Sequence, residues 1–128
     1  MITFTEQEKA VILLGTASIT EADAYGLGPN AKEMEFAHFV ERSIKPTPMT
    51  YQLLRSYFRN PVNAYSQIKN STIATKRMIK MFFVHMCTCD GPINESEQEA
   101  MELLDSLCVF PYMSMNDIEN EYKKFLGQ

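Results

Sequence analysis

The chain has 128 residues, a net charge of −4 and 45% hydrophobic residues. That is enough for one self-sufficient core, and scattered Lys and Arg without a basic stripe argue against a nucleic-acid surface. No apolar run approaches the roughly 20 residues of a membrane span, and the N-terminal residues lack a basic leader, so neither a transmembrane segment nor a signal peptide is expected.

In chain order, Thr5 with Glu8 forms a capping box for a first helix carrying Val11, Ile12, Leu14 and Ile19 to about Ala22. Gly15 inside it either costs about 1 kcal/mol relative to Ala or marks a close helix contact. The segment 23–29 reads as a loop, after which Asn30 caps a second helix, with Glu33 in the box position, to about Ser43. Thr47-Pro48 opens a third helix with Tyr51, Leu54, Tyr57 and Phe58, and Asn60-Pro61 opens a short one with Val62, Tyr65 and Ile68. The break at residues 70–72 launches a helix that is apolar on nearly every side from Met78 to Cys89, the pattern of a segment buried inside a bundle. Its end is the turn Asp90-Gly91-Pro92-Ile93, and Asn94 with Glu97 then caps the next helix. That helix offers Ala100, Met101, Leu103, Leu104 and Leu107 for burial; a connector at 109–112 and a Ser114–Asp117 cap lead into the last, with Ile118, Tyr122 and Leu126 on one face. No segment alternates with period two. The expected fold is therefore an all-α, single-domain bundle of six or seven helices.

Aligning Asp23 with Asp90 makes two degenerate repeats, about 5–43 and 72–107. Val11, Ile12, Leu14, Ile19 and Ala22 match Met78, Ile79, Met81, Met86 and Cys89, and Asn30-x-x-Glu33 matches Asn94-x-x-Glu97 when the first loop is three residues longer. Each half is an apolar helix, an acid-led turn and a capped helix. The stretch from Cys89 to Glu97 resembles the "Ala-Asp-Gly-x-Ile-x-x-x-Glu" turn of the TerB-like (tellurite-resistance TerB) family, and the two-repeat layout is similar over nearly the whole chain. The resemblance implies a helical bundle whose acidic turns hold a divalent cation, with Asp90 and Glu97 as ligands and Asp23 and Glu33 as their counterparts. The first turn departs from the motif, because Ala24 follows Asp23 and the loop is longer.

Several readings compete. The segment 90–97 also fits positions 5 to 12 of an EF-hand, but Met86 and Thr88 then fall where carboxylate ligands belong, so no working EF-hand is expected. A simpler oxygen site for Ca²⁺, Mg²⁺ or Mn²⁺, ahead of Zn²⁺, stays open, as does a bland reading in which Asp90-Gly91 stops one helix and Asn94 and Glu97 cap another. His85-x-Cys87-x-Cys89 cannot converge on one metal from one helix, since Cys87 points about 200° from His85; the three cysteines read as reduced core thiols of a cytoplasmic protein. His38 could meet His85 only through the fold. Glu95, Glu99 and Glu102 form an acidic stripe, either a solvated face or a surface for a basic partner. Nucleophile elbows, phosphate-binding loops and H-E-x-x-H are missing from the sequence. The expected function is a non-catalytic cytoplasmic interaction module with a protein partner, self-association being open. The alternatives are a metal-assisted hydrolase using the same carboxylates and a structural or oligomeric protein that binds no metal.

Overall fold

Every capping signal within the described part of the chain sits at or next to a helix start. The structure, a computed structural model, describes residues 3–23, 31–89 and 91–127, without the side chains of 20–23. Its elements are α1 (Glu6–Asp23), α2 (Ala31–Ile44), α3 (Pro48–Arg59), α4 (Pro61–Ser66) running into a 3-10 turn (Gln67–Asn70), α5 (Ile73–Thr88), α6 (Glu95–Cys108) and α7 (Met115–Leu126). Among the described residues there is no strand. The protein is an all-α single-domain bundle, and no helix among the described residues is long and apolar enough to cross a membrane.

Local chemistry explains the boundaries. The Thr5 Oγ1 accepts the Glu8 N–H (3.1 Å) while the Thr5 N–H donates to Glu8 (2.8 Å), which satisfies two helix-end donors reciprocally. Thr72, Asn94 and Ser114 cap α5, α6 and α7 through the backbone N–H three residues on. Pro48 and Pro61 occupy first helical positions, where a missing N–H costs nothing. Glu6 accepts the hydroxyls of Thr47 (2.8 Å) and Thr50, and Glu8 accepts Ser71 Oγ (2.7 Å). The first turn of α1 thereby ties down the starts of α3 and α5.

Helix α5 is the centre of the bundle. Met78, Ile79, Met81, Phe82, Phe83, Met86 and Cys87 are all buried, and α1, α2, α6 and α7 pack around them. A close approach is at Gly15. A Cβ there would lie 2.2 Å from the fully buried ring of Phe83, so α1 crosses α5 without room for a methyl group. Two buried cations interrupt this apolar helix. Lys76 Nζ donates to the Val109 carbonyl and Lys80 Nζ to the Pro111 carbonyl, each at 3.1 Å, and Lys80 also pairs with Asp105 (3.1 Å). The lysines hold the α6–α7 connector, which begins with Val109 in the left-handed region (φ 53°). A β-branched residue there is strained and persists only because its surroundings fix it. Glu121 of α7, nearly buried, is held by Arg77 Nε (3.2 Å) and Lys124 Nζ (3.4 Å).

Some apolar residues expected inside lie outside. The buried stripe of α6 runs Glu97, Met101, Leu104, Cys108, which turns Leu103 outward at 57% exposure and leaves Ala100 and Leu107 half-buried. In α3, Tyr57 is buried while Phe58 is exposed and Tyr51 borders solvent. Val62 and Leu126 are exposed as well. Helical periodicity marks an apolar arc, but the neighbouring helices decide how much of it is covered.

Gly15→Ala tests the α1–α5 contact. Alanine gains about 1 kcal/mol of helix propensity over glycine, whereas forcing a methyl group into a packed core costs about 1–3 kcal/mol. With Phe83 unable to retreat, the variant should be less stable in urea denaturation; equal or higher stability would show that the crossing is looser.

Candidate functional site

The turn between α5 and α6 is built from backbone geometry outward. Thr88 Oγ1 donates to the Val84 carbonyl (3.2 Å) at the end of α5, and the Gly91 N–H donates to the Thr88 carbonyl (3.3 Å). Gly91 has φ 141°, a conformation that only glycine adopts without strain. Asn94 then caps α6: its Oδ1 accepts the Glu97 N–H (2.8 Å), and Glu97 Oε1 accepts the Asn94 N–H (3.1 Å). This capping box is the one expected from the residues.

Four carboxylates were expected to matter. Asp90 lies outside the described residues, and of Asp23 only the backbone at the end of α1 is described. The two glutamates are described, and each is 1% exposed. They occupy corresponding places in the two hairpins: Glu33 in the first turn of α2 and Glu97 in the first turn of α6. Both α2 and α6 pack on α1 and α5. Capping does not by itself bury a carboxylate, since Glu8 and Asp117, the box carboxylates of α1 and α7, stay partly accessible. A charge withdrawn from water costs several kcal/mol unless hydrogen bonds or an opposite charge offset it. The donor set is all oxygen, which fits a hard divalent cation rather than Zn²⁺. Among the described residues no cluster of three or more His, Cys, Asp or Glu side chains could hold a metal; Asp90 and the Asp23 side chain lie outside those residues.

His85 and Cys89 share a face of α5 and are partly accessible, while Cys87 on the other side is fully buried, as the helical wheel requires. His85 and His38 do not meet. His38 lies 3.9 Å from Glu41, beside a shallow pocket that also includes Tyr51, whose hydroxyl donates to Glu41 (2.5 Å) and is pushed up to about 12 chiefly by that hydrogen bond. The exposed acidic stripe Glu95, Glu99 and Glu102 faces solvent.

His85 instead belongs to an aromatic groove that no sequence pattern announced. Its ring stacks on Tyr122 of α7 (centroids 4.1 Å, 23° between planes) and lies against Phe36 of α2 (4.4 Å). Phe39 meets Phe125, and Phe125 meets Phe82, closing the far end. Between α2 and α7, with His85 and Cys89 as floor, lies a cleft of about 310 Å³. Lys32 and Arg42 stand on its α2 wall with Glu35 between them, and Leu126 borders it from α7. Burial pushes the His85 imidazole below its ordinary value, so it is neutral at pH 7.

No family model matches the chain, and no curated protein matches it. Among solved structures it is similar to a crystal structure of a protein of unknown function from Porphyromonas gingivalis W83. The two share 20% sequence identity with a TM-score of 0.73, over 97% of this chain and 99% of the other. That likeness establishes a shared fold.

The His85 stack has a pH signature. The folded state holds fewer protons on this ring than the unfolded chain, whose histidine titrates near 6.5. Stability contributed by the neutral ring is therefore present above about pH 6.5 and is lost as pH falls from there towards the lowered folded value. Ring-proton NMR should place the His85 midpoint below that of a free histidine, and His85→Phe should flatten the decline in melting temperature over that window. A midpoint at or above 6.5 would refute the burial argument.

Proposed function

We propose that the protein is a non-catalytic helical interaction module of the TerB-like kind, which binds a divalent cation at its acidic inter-helix turns. The observation that carries this reading is the burial of Glu33 and Glu97 at matched positions in the first turns of α2 and α6, where the other capping carboxylates remain accessible. On this reading Glu33 and Glu97 supply oxygen ligands from within the bundle, and Asp23 and Asp90 complete the set from the preceding turns. A Ca²⁺, Mg²⁺ or Mn²⁺ ion held there would fix the two hairpins against each other, so that the partner surface depends on occupancy. The partner is a protein, and the setting is cytoplasmic.

Thermal melts with Ca²⁺, Mg²⁺, Mn²⁺ and Zn²⁺ against a chelated control test the proposal. An ion at 100 times its dissociation constant stabilises by about 2.7 kcal/mol, a shift of several degrees for a domain of this size. The shift should appear for at least one hard cation and disappear in Asp90→Asn and Glu97→Gln. If no ion shifts the wild-type protein, the capping role alone accounts for these residues.

A further inference from the structure

The groove between α2 and α7 differs from the rest of this acidic surface. Lys32, Phe36, Phe39 and Arg42 follow one another at spacings of four, three and three, so they share one face of α2. Among the described residues, Lys32, Glu35 and Arg42 make no ion pair or hydrogen bond within the protein, and the ring nitrogens of His85 and the hydroxyl of Tyr122 make no hydrogen bond. Two free cations thus flank an aromatic floor that carries uncommitted polar groups.

We propose that this groove binds an extended segment of a partner protein in which two acidic residues, four apart, bracket an aromatic residue. This names the partner chemistry of the interaction module proposed above and rests on that reading. Lys32 and Arg42 are ten residues apart on α2, which separates their backbones by about 15 Å. An extended chain advances about 3.3 Å per residue, so carboxylates at positions i and i+4 lie about 13 Å apart and meet the two cations. In an extended chain i, i+2 and i+4 project to the same side. The central side chain is then directed onto Phe36, Phe39 and the neutral His85. Glu35, between the cations, accepts a backbone N–H of the bound segment, and so selects a peptide over a simple polyanion. Tyr122 offers a hydroxyl at the opposite wall. A second cleft, also bordered by His85 and Tyr122 and floored by Ile118, continues the track along α7 past Met115, giving room for residues beyond the five-residue core.

The test uses the full chain and two peptides: acetyl-Glu-Ala-Phe-Ala-Glu amide, and the same sequence with Lys in place of both Glu. Amide NMR titration of the wild-type protein with the acidic peptide should give saturable shifts concentrated on α2, the end of α5 and α7. The Lys32→Glu/Arg42→Glu variant should bind it at least tenfold more weakly and should bind the basic peptide instead. Thermal melts check that the variant is folded; Lys32→Gln/Arg42→Gln, with its milder charge change, should show an intermediate loss. Shifts that do not saturate, that map elsewhere, or that are unchanged in both variants would overturn the proposal. Equal wild-type affinity for the two peptides would do the same, as would self-association of the wild-type protein through this groove. The titration is run with and without the cation that the melts select. A groove that fails to bind while the melts respond to metal refutes the peptide site alone, and binding without any metal response refutes the cation reading alone.

Discussion

A helix buried over most of its surface leaves little solvent for its polar groups, and α5 sets the terms for the rest of the molecule on that account. Its apolar residues are covered by α1, α2, α6 and α7, and Gly15 permits a close crossing of α1 over Phe83. Lys76 and Lys80 are the exceptions. Each runs its stem along apolar surface and places its ammonium on a backbone carbonyl of the α6–α7 connector. The connector needs acceptors satisfied where α6 has ended and Pro111 contributes no N–H. The requirements meet: the central helix finds polar outlets, and an irregular segment is held in one conformation. Cys108 at the end of α6 is part of the same packing, its thiol pushed up to about 12 by burial and the nearby Asp105, so it is inert as a nucleophile at neutral pH.

Much of this was legible before any coordinate. Thr5, Asn94 and Ser114 announce helix starts because their side chains complete backbone hydrogen bonds within three residues, and such local chemistry is written in short spacings. The opposed faces of Cys87 and Cys89 follow from helical rotation alone. What escaped was long-range. Lys76 and Lys80 look like ordinary charges until the connector is placed beside them, thirty residues along. The groove joins Phe36, His85 and Tyr122 across three helices, and no periodicity within one helix can say which neighbour its aromatic side chain meets. Leu103 shows the converse: it falls in an apolar run, but no helix among the described residues covers it.

The buried glutamates stand between these cases. Their capping spacing was readable from Asn30 and Asn94; their burial was not, because it depends on how far each hairpin tilts into the bundle. An ordinary box carboxylate is rooted in solvent, and its charge is a favourable partner for the helix N-terminus at little desolvation cost. Glu97 keeps that backbone bond while surrendering its exposure. Placement of this sort exceeds what capping requires, and it sets these two glutamates apart from the exposed acidic stripe of α6.

The two proposed sites are adjacent through the backbone. Lys32, on the wall of the groove, precedes Glu33; Cys89, on its floor, precedes Asp90. Consecutive residues on a helix diverge by about 100°, so one side chain can face the groove while its neighbour turns into the bundle. A cation that drew the Glu33 and Asp90 backbones together would reposition Lys32 and the end of α5 with them. The free energy of that shift would be shared by both ligands, and the cation and the peptide would then change each other's affinity by the same factor. A turn that merely capped a helix would leave the groove indifferent to metal, so the coupling itself separates a regulated module from a structural one.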